Sequence, residues 1–251
     1  MNTPETTDRN HLVIALDGPS GSGKSSVSKQ VARALSASYL DTGAMYRAAA
    51  WWAQYTGLDL SSDEVDPEAV TRAVEQMPLV ISTDPDHERV VVADSDITEE
   101  IRSPDISSLV SAVATNRDAR ALLVGRQRQL IDQSERIVAE GRDITTVVAP
   151  DAHARILLTA SEQVRLARRG AQLNEAGSAV TPTELAAQVA GRDAKDSTVV
   201  DFMTPAEGVA LVDSSALTFE ETVQAVLEAI EAQTAPPRSD VAPTRTEIHH
   251  D

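Results

Sequence analysis

The chain has 251 residues, with 22 Lys and Arg against 39 Asp and Glu, a formal net charge of −17, and no cysteine. That charge repels DNA and other polyanions at long range, so no nucleic-acid polymer is expected as a partner. Without thiols, disulfides and thiolate metal centres are excluded.

At 41% hydrophobic and 24% charged, the composition suits one ordinary domain, with room for inserted subdomains. No run approaches the roughly 20 apolar residues that span a bilayer, so no membrane is expected. The polar opening MNTPETTDRN has no secretory signal pattern. The expected compartment is therefore the cytoplasm.

Residues 1–11 read as a loose arm. LVIAL, residues 12–16, is a continuous apolar run and predicts a strand buried on both faces. A helix is expected after DGPSGSGKSS, running to about Ser38 with Val27, Val31, Ala34 and Leu35 on one face. A second helix is expected over 44–57, closed by Gly57. PLVIST and ERVVVA flank DPDH between Pro78 and the Val92 region, which is a hairpin signal.

Residues 99–133 read as helical with a break near Asn116. RIVAE (136–140), RILLT (155–159) and VALVD (209–213) read as strands. Helices are expected over 161–175, 181–196 and 218–233. Strands alternating with helices imply a parallel sheet covered on both faces. The hairpin-bearing stretch of about 60–115 interrupts that rhythm and reads as an inserted subdomain. The main domain is expected over 1–233. Residues 234–251, with three prolines and no apolar period, read as a disordered tail.

Gly18-Pro19-Ser20-Gly21-Ser22-Gly23-Lys24-Ser25 fits G-x-x-x-x-G-K-[ST] at every position, between a predicted strand and a predicted helix. Such a loop turns backbone N–H groups toward phosphate, and the helix adds its positive end. Lys24 is expected on the β- and γ-phosphates and the Ser25 hydroxyl on Mg²⁺. Ser26 follows within reach of the same nucleotide. No N-K-x-D guanine signature is evident, which disfavours a GTPase.

Seventeen residues after Lys24 comes Asp41-Thr42-Gly43-Ala44-Met45-Tyr46-Arg47. Glu140-Gly141-Arg142-Asp143-Ile144 closes a predicted buried strand. Ligands of open α/β sheets bind beyond the carboxyl ends of strands, so this segment and the phosphate loop should share one edge.

Together with EEIRS, the Ser111 helix, DARALL, RQR, EGRDITTVV, SEQVRLARR, GRDAKDS and LVDSS, these segments make the chain resemble the bacterial cytidylate (CMP) kinases over about 12–230. The resemblance implies an α/β P-loop NTPase three-layer sandwich with a parallel central sheet. It also implies an inserted acceptor-binding subdomain and an arginine-bearing lid over about 161–180. The implied reaction is phosphoryl transfer from ATP to CMP, and also dCMP, with Mg²⁺ as cofactor and a monomer as the working unit. A P-loop kinase for another small acceptor such as UMP remains open, as does a nucleotide-binding regulatory protein without turnover.

By the same resemblance Arg47 and Arg142 hold the acceptor phosphate, a role suited to a permanently charged fork. Thr42 stands near the nucleotide. Ser111, Arg120 and Asp143 match base-reading positions, and Arg192 and Asp196 match positions near the ribose. The chain departs from the family pattern at Val199 and at DFMTP, on the ribose side. Arg165, Arg168 and Arg169 lie at i, i+3 and i+4 on one helix face. The resemblance makes that face the lid, with Arg165 on ATP and Arg168 and Arg169 on the migrating group. The acceptor oxygen is already ionised at neutral pH, so no general base is expected.

Overall fold

The computed structural model describes residues 11–62, 64–175 and 202–235, with the backbone alone over 172–175. In chain order these residues form β1 (Leu12–Asp17), α1 (Lys24–Ala34), β2 (Ser38–Asp41), α2 (Thr42–Tyr55) and α3 (Pro67–Gln76). Next come β3 (Leu79–Ile81), β4 (Val90–Val92), β5 (Ser95–Asp96), α4 (Pro104–Ala114) and α5 (Arg117–Asp132). The described part closes with β6 (Arg136–Gly141), β7 (Ala154–Thr159), α6 (Glu162–Glu175), β8 (Ala210–Asp213) and α7 (Phe219–Thr234).

β2-β6-β1-β7-β8 is a five-stranded sheet in which every pairing is parallel. The unbroken apolar run of β1 is explained by its central place. Successive side chains leave opposite faces of a strand. Val13 and Ala15 join the helices α2, α4 and α5 in one hydrophobic cluster, while Ile14 and Leu16 join α1 and α7 in another. Ile14 and Leu16 are fully buried, and each such side chain contributes about 1.5–3 kcal/mol. Two buried faces make a three-layer α/β sandwich.

β3, β4 and β5 form a separate antiparallel sheet, so the hairpin is present and carries a third short strand. This region has no core of its own. Val70, Val74, Val90, Val92 and Ile97 belong to the same cluster as Val13 and Ala15.

Three elements depart from expectation, β2 among them, since no strand was expected over Ser38–Asp41. The first helix stops at Ala34, because Ser36 takes a left-handed φ of 50° and the chain turns into β2. α3 was not expected, although its start signals are present: Asp66 caps Glu68 N–H and Pro67 opens the helix. Its only buried positions are Val70, Ala73 and Val74. The break near Asn116 is the N-cap of α5, where the side chain accepts from Asp118 and Ala119 N–H. The helix expected over 181–196 lies outside the described residues. So does most of the expected tail, since α7 ends at Thr234. Among the described residues no helix is long and apolar enough to cross a membrane.

Candidate active site

β1 ends in the phosphate loop, and two of its glycines are fixed by geometry. A Cβ on Gly18 would sit 2.1 Å from the Leu158 carbonyl oxygen. Gly21 has φ +79°, and a Cβ there would sit 2.6 Å from the Arg165 carbonyl oxygen. α1 has Gly23 at its N-cap, itself left-handed, with no side chain capping the helix. Its first N–H groups are therefore left for an anion. Lys24 Nζ donates to the Pro19 carbonyl at 2.9 Å, curling back over the loop.

A cleft of ≈ 470 Å³ opens on this loop. Ser20, Gly21, Gly23, Lys24, Ser25 and Ser26 line one side, and Asp41, Gly43, Arg47, Glu140, Gly141 and Arg142 the other. Lys29, Arg102, Ser107 and Arg169 complete it. Six basic side chains thus meet two carboxylates inside a chain of net charge −17. The cleft runs against the field of the molecule, as an anion site in this chain requires.

The two carboxylates differ in state. Asp41 caps α2 by accepting from Ala44 N–H at 2.9 Å and binds Arg47 at 2.8 Å. Although burial opposes ionisation, the Arg47 charge and these donors hold the Asp41 carboxyl below its ordinary range. Glu140 goes the other way: burial and the Asp41 charge push it up, against Lys24, Ser25 and Tyr39. The Tyr39 hydroxyl donates to Glu140 at 2.6 Å, and that phenol is itself raised well above its usual value, first by burial. A buried Glu140 and a part-buried Asp41 beside the Ser25 hydroxyl are the hard oxygen set that suits Mg²⁺ through bound water. The residues present therefore fit the ion.

The acceptor residues divide. Arg142 lines the cleft, with its guanidinium 4.6 Å from the Phe202 ring centroid. Arg120 and Asp143 lie behind that lining and pair at 2.5 Å. Burial, then the Asp143 charge, raises the Tyr46 phenol, with the Arg120 charge opposing them. Ser111 is half-buried on α4 and does not line the cleft. Thr42 is buried, and its hydroxyl donates to the Glu140 carbonyl at 2.8 Å, joining α2 to β6. Gly18, Pro19 and Ser22 shape the loop without lining the cleft. Arg192 and Asp196 lie outside the described residues.

The three arginines of α6 are also divided. Arg165, only 6% exposed, donates to the Ser20 carbonyl at 2.9 Å. Arg168 donates to the Ser22 carbonyl at 3.1 Å and to the Ser214 hydroxyl and carbonyl at 2.9 and 3.0 Å. Both brace the outer wall of the phosphate loop. Arg169 alone of the three lines the cleft, where burial first and then the Arg47 charge lower its pKa. Sequence reasoning did not single out Lys29. A signal existed: it stands four residues after Ser25 on α1, one turn along the same face.

Behind the cleft, Asp17 ends β1 at 2% exposure. Its carboxylate accepts from Ile144 N–H at 2.9 Å, Thr145 N–H at 2.8 Å and the Thr145 hydroxyl at 2.6 Å. Burial outweighs these donors and pushes its pKa from 3.8 up to about 6. The folded chain therefore holds this proton more tightly than the unfolded chain. Stability from this group is fullest below about pH 4, falls as pH rises toward 6, and is level above that. Relative to Asp17→Asn, the parent is expected to lose roughly 3 kcal/mol at most across this window, in denaturant melts. A difference that stayed constant with pH would contradict the shift.

A family model described as cytidylate kinase matches residues 14–232. The chain belongs to the cytidylate kinase family. A cytidylate kinase of Cutibacterium acnes is 45% identical over 219 residues, 87% of this chain and 96% of that protein. One from Rhodococcus jostii is 45% identical over 224 residues, covering 89% and 96% of the two chains. One from Nocardia farcinica is 44% identical over 223 residues, covering 88% and 94%. The family match spans the phosphate loop, the 140–144 segment and α6 in one unbroken range, so every cleft-lining residue falls within the cytidylate kinase region.

Proposed function

We propose that the cleft carries out the cytidylate kinase reaction with the residues placed as follows. The reaction is transfer of the γ-phosphoryl group of ATP to CMP, giving ADP and CDP; dCMP is also an acceptor. ATP lays its phosphates over the loop 18–23 and the open end of α1. Lys24 exchanges the Pro19 carbonyl for the β- and γ-phosphates. Arg47 exchanges Asp41 for the acceptor phosphate and shares it with Arg142. Ser25 would hold Mg²⁺, with Asp41 and Glu140 on its waters, and the ion would neutralise charge developing on the transferred group.

The attacking oxygen of CMP is already ionised, so no base is used. Catalysis is alignment and charge neutralisation. Residues 60–115 serve as the acceptor-binding subdomain and 161–180 as the lid, with Arg192 and Asp196 on the ribose. The chain works as a monomer in the cytoplasm.

The observation that carries this reading is the basic cleft shared by the phosphate loop, Arg47, Arg142 and Arg169. ADP release that requires CMP is the expected result; equal release without CMP would make the site that of an ATPase. The lid gives a second test. Arg169→Ala is expected to lower kcat by about 10²-fold with little change in the KM for CMP, since its contact is made in the transition state. A raised KM with unchanged kcat would move Arg169 to the acceptor side.

A further inference from the structure

Ile144–Val148 forms one wide turn of π-helix directly after Arg142 and Asp143. Asp143 occupies its N-cap position, yet its side chain makes no capping bond. That is unusual chemistry for an aspartate. An N-cap carboxylate ordinarily accepts from the N–H groups two or three residues ahead. Here the Thr145 N–H, two residues ahead, is already taken by Asp17 at 2.8 Å, and Ile144 N–H by the other oxygen at 2.9 Å. The Asp143 carboxylate is turned away onto Arg120.

We propose that Asp17 is a positioning residue for base recognition: it caps the 144–148 turn from the neighbouring strand and thereby keeps Asp143 on Arg120 instead of on its own backbone. The inference rests on the assignment of Arg120 and Asp143 to the cytosine base.

Three features support it. Asp17 pairs in register with Gly141, so its carboxylate reaches the turn across one strand spacing. All three bonds to Asp17 go to residues 144 and 145, and Thr145 adds its hydroxyl at 2.6 Å. Burial makes ionised Asp17 costly to folding, which is the expected signature of a buried charge kept for geometry rather than stability.

Removing Asp17 frees the Thr145 N–H, and Asp143 is the nearest carboxylate in sequence to take it. Asp17→Ala is therefore expected to lower the CMP-to-UMP ratio of kcat/KM by about 10-fold or more. The loss should fall mainly on the KM for CMP, with ATP binding held within about 2-fold. Asp17→Asn, which keeps the volume and one accepting oxygen, should fall between, and it carries the test if the alanine variant does not fold.

A double-mutant cycle supplies the reading that a merely structural role would not move. With Asp17 already replaced, Asp143→Asn should change the ratio little further. If the two losses multiply in full, or if CMP and UMP weaken by the same factor in the Asp17 variants while Asp143→Asn alone lowers the ratio, this inference is wrong. If Asp143→Asn alone leaves the ratio unmoved, the base assignment itself falls, and the inference with it.

Discussion

Lys24→Met is expected to fold as the parent does and to turn over at least about 10²-fold more slowly. The methionine keeps the unbranched apolar stem and loses only the charge and its donors. In the structure the ammonium makes a 2.9 Å bond to the Pro19 carbonyl at the surface of the cleft, and no hydrophobic cluster depends on it. The cost to folding should be small, whereas the cost to the transferred phosphoryl group is a missing positive charge where negative charge must be neutralised. Turnover and a thermal melt, measured side by side, check this. Near-parental turnover in a well-folded variant would remove the phosphate loop from the mechanism.

Asp143→Asn is expected to reduce the preference for CMP over UMP strongly, and to do so mainly by weakening CMP. Cytosine presents an N4 amine that donates and N3 and O2 that accept. A carboxylate only accepts and a guanidinium only donates, so Asp143 and Arg120 form the matching pair, with Ser111 able to serve either way. Uracil reverses two of these groups. Burying such mismatches costs on the order of several kcal/mol, and that difference is the discrimination.

The geometry bears on a blander account in which Asp143 is merely the partner of its neighbour Arg142. Asp143 pairs instead with Arg120 of α5, twenty-three residues away, and Arg142 stacks on Phe202. Comparing kcat/KM for both nucleotides in parent and variant decides it. An unchanged ratio, with both nucleotides weakened alike, would return Asp143 to a bracing role.

Most of the sheet was legible because parallel strands buried on both faces read as continuous apolar runs, as LVIAL and RILLT do. β2 was not, because SYLD has only two large apolar residues, and its place is set by pairing with β6 rather than by local pattern. α3 was overlooked because a thin stripe of Val70, Ala73 and Val74 suffices where α2 and α5 supply the rest of the packing. The phosphate loop and the arginines Arg47, Arg142 and Arg169 were legible as motifs, and the three arginines line the cleft together with Ser20, Gly21, Gly23, Lys24 and Ser25 of the loop.

What the motifs could not give is the direction of each side chain. The i, i+3, i+4 spacing correctly puts Arg165, Arg168 and Arg169 on one side of α6. It does not tell that two of them are taken by carbonyls of the phosphate loop. Thr42 and Asp17 show the same limit. Each looks like part of a ligand motif, yet each is buried and bonded to the segment after β6 or to β6 itself.

The most direct measurement is coupled ADP release with CMP, dCMP, UMP, AMP and GMP offered separately at equal concentration. The account predicts rapid release with CMP and dCMP, far slower release with UMP, and little with either purine. Equal rates with CMP and UMP, or a purine turned over faster than CMP, would contradict it.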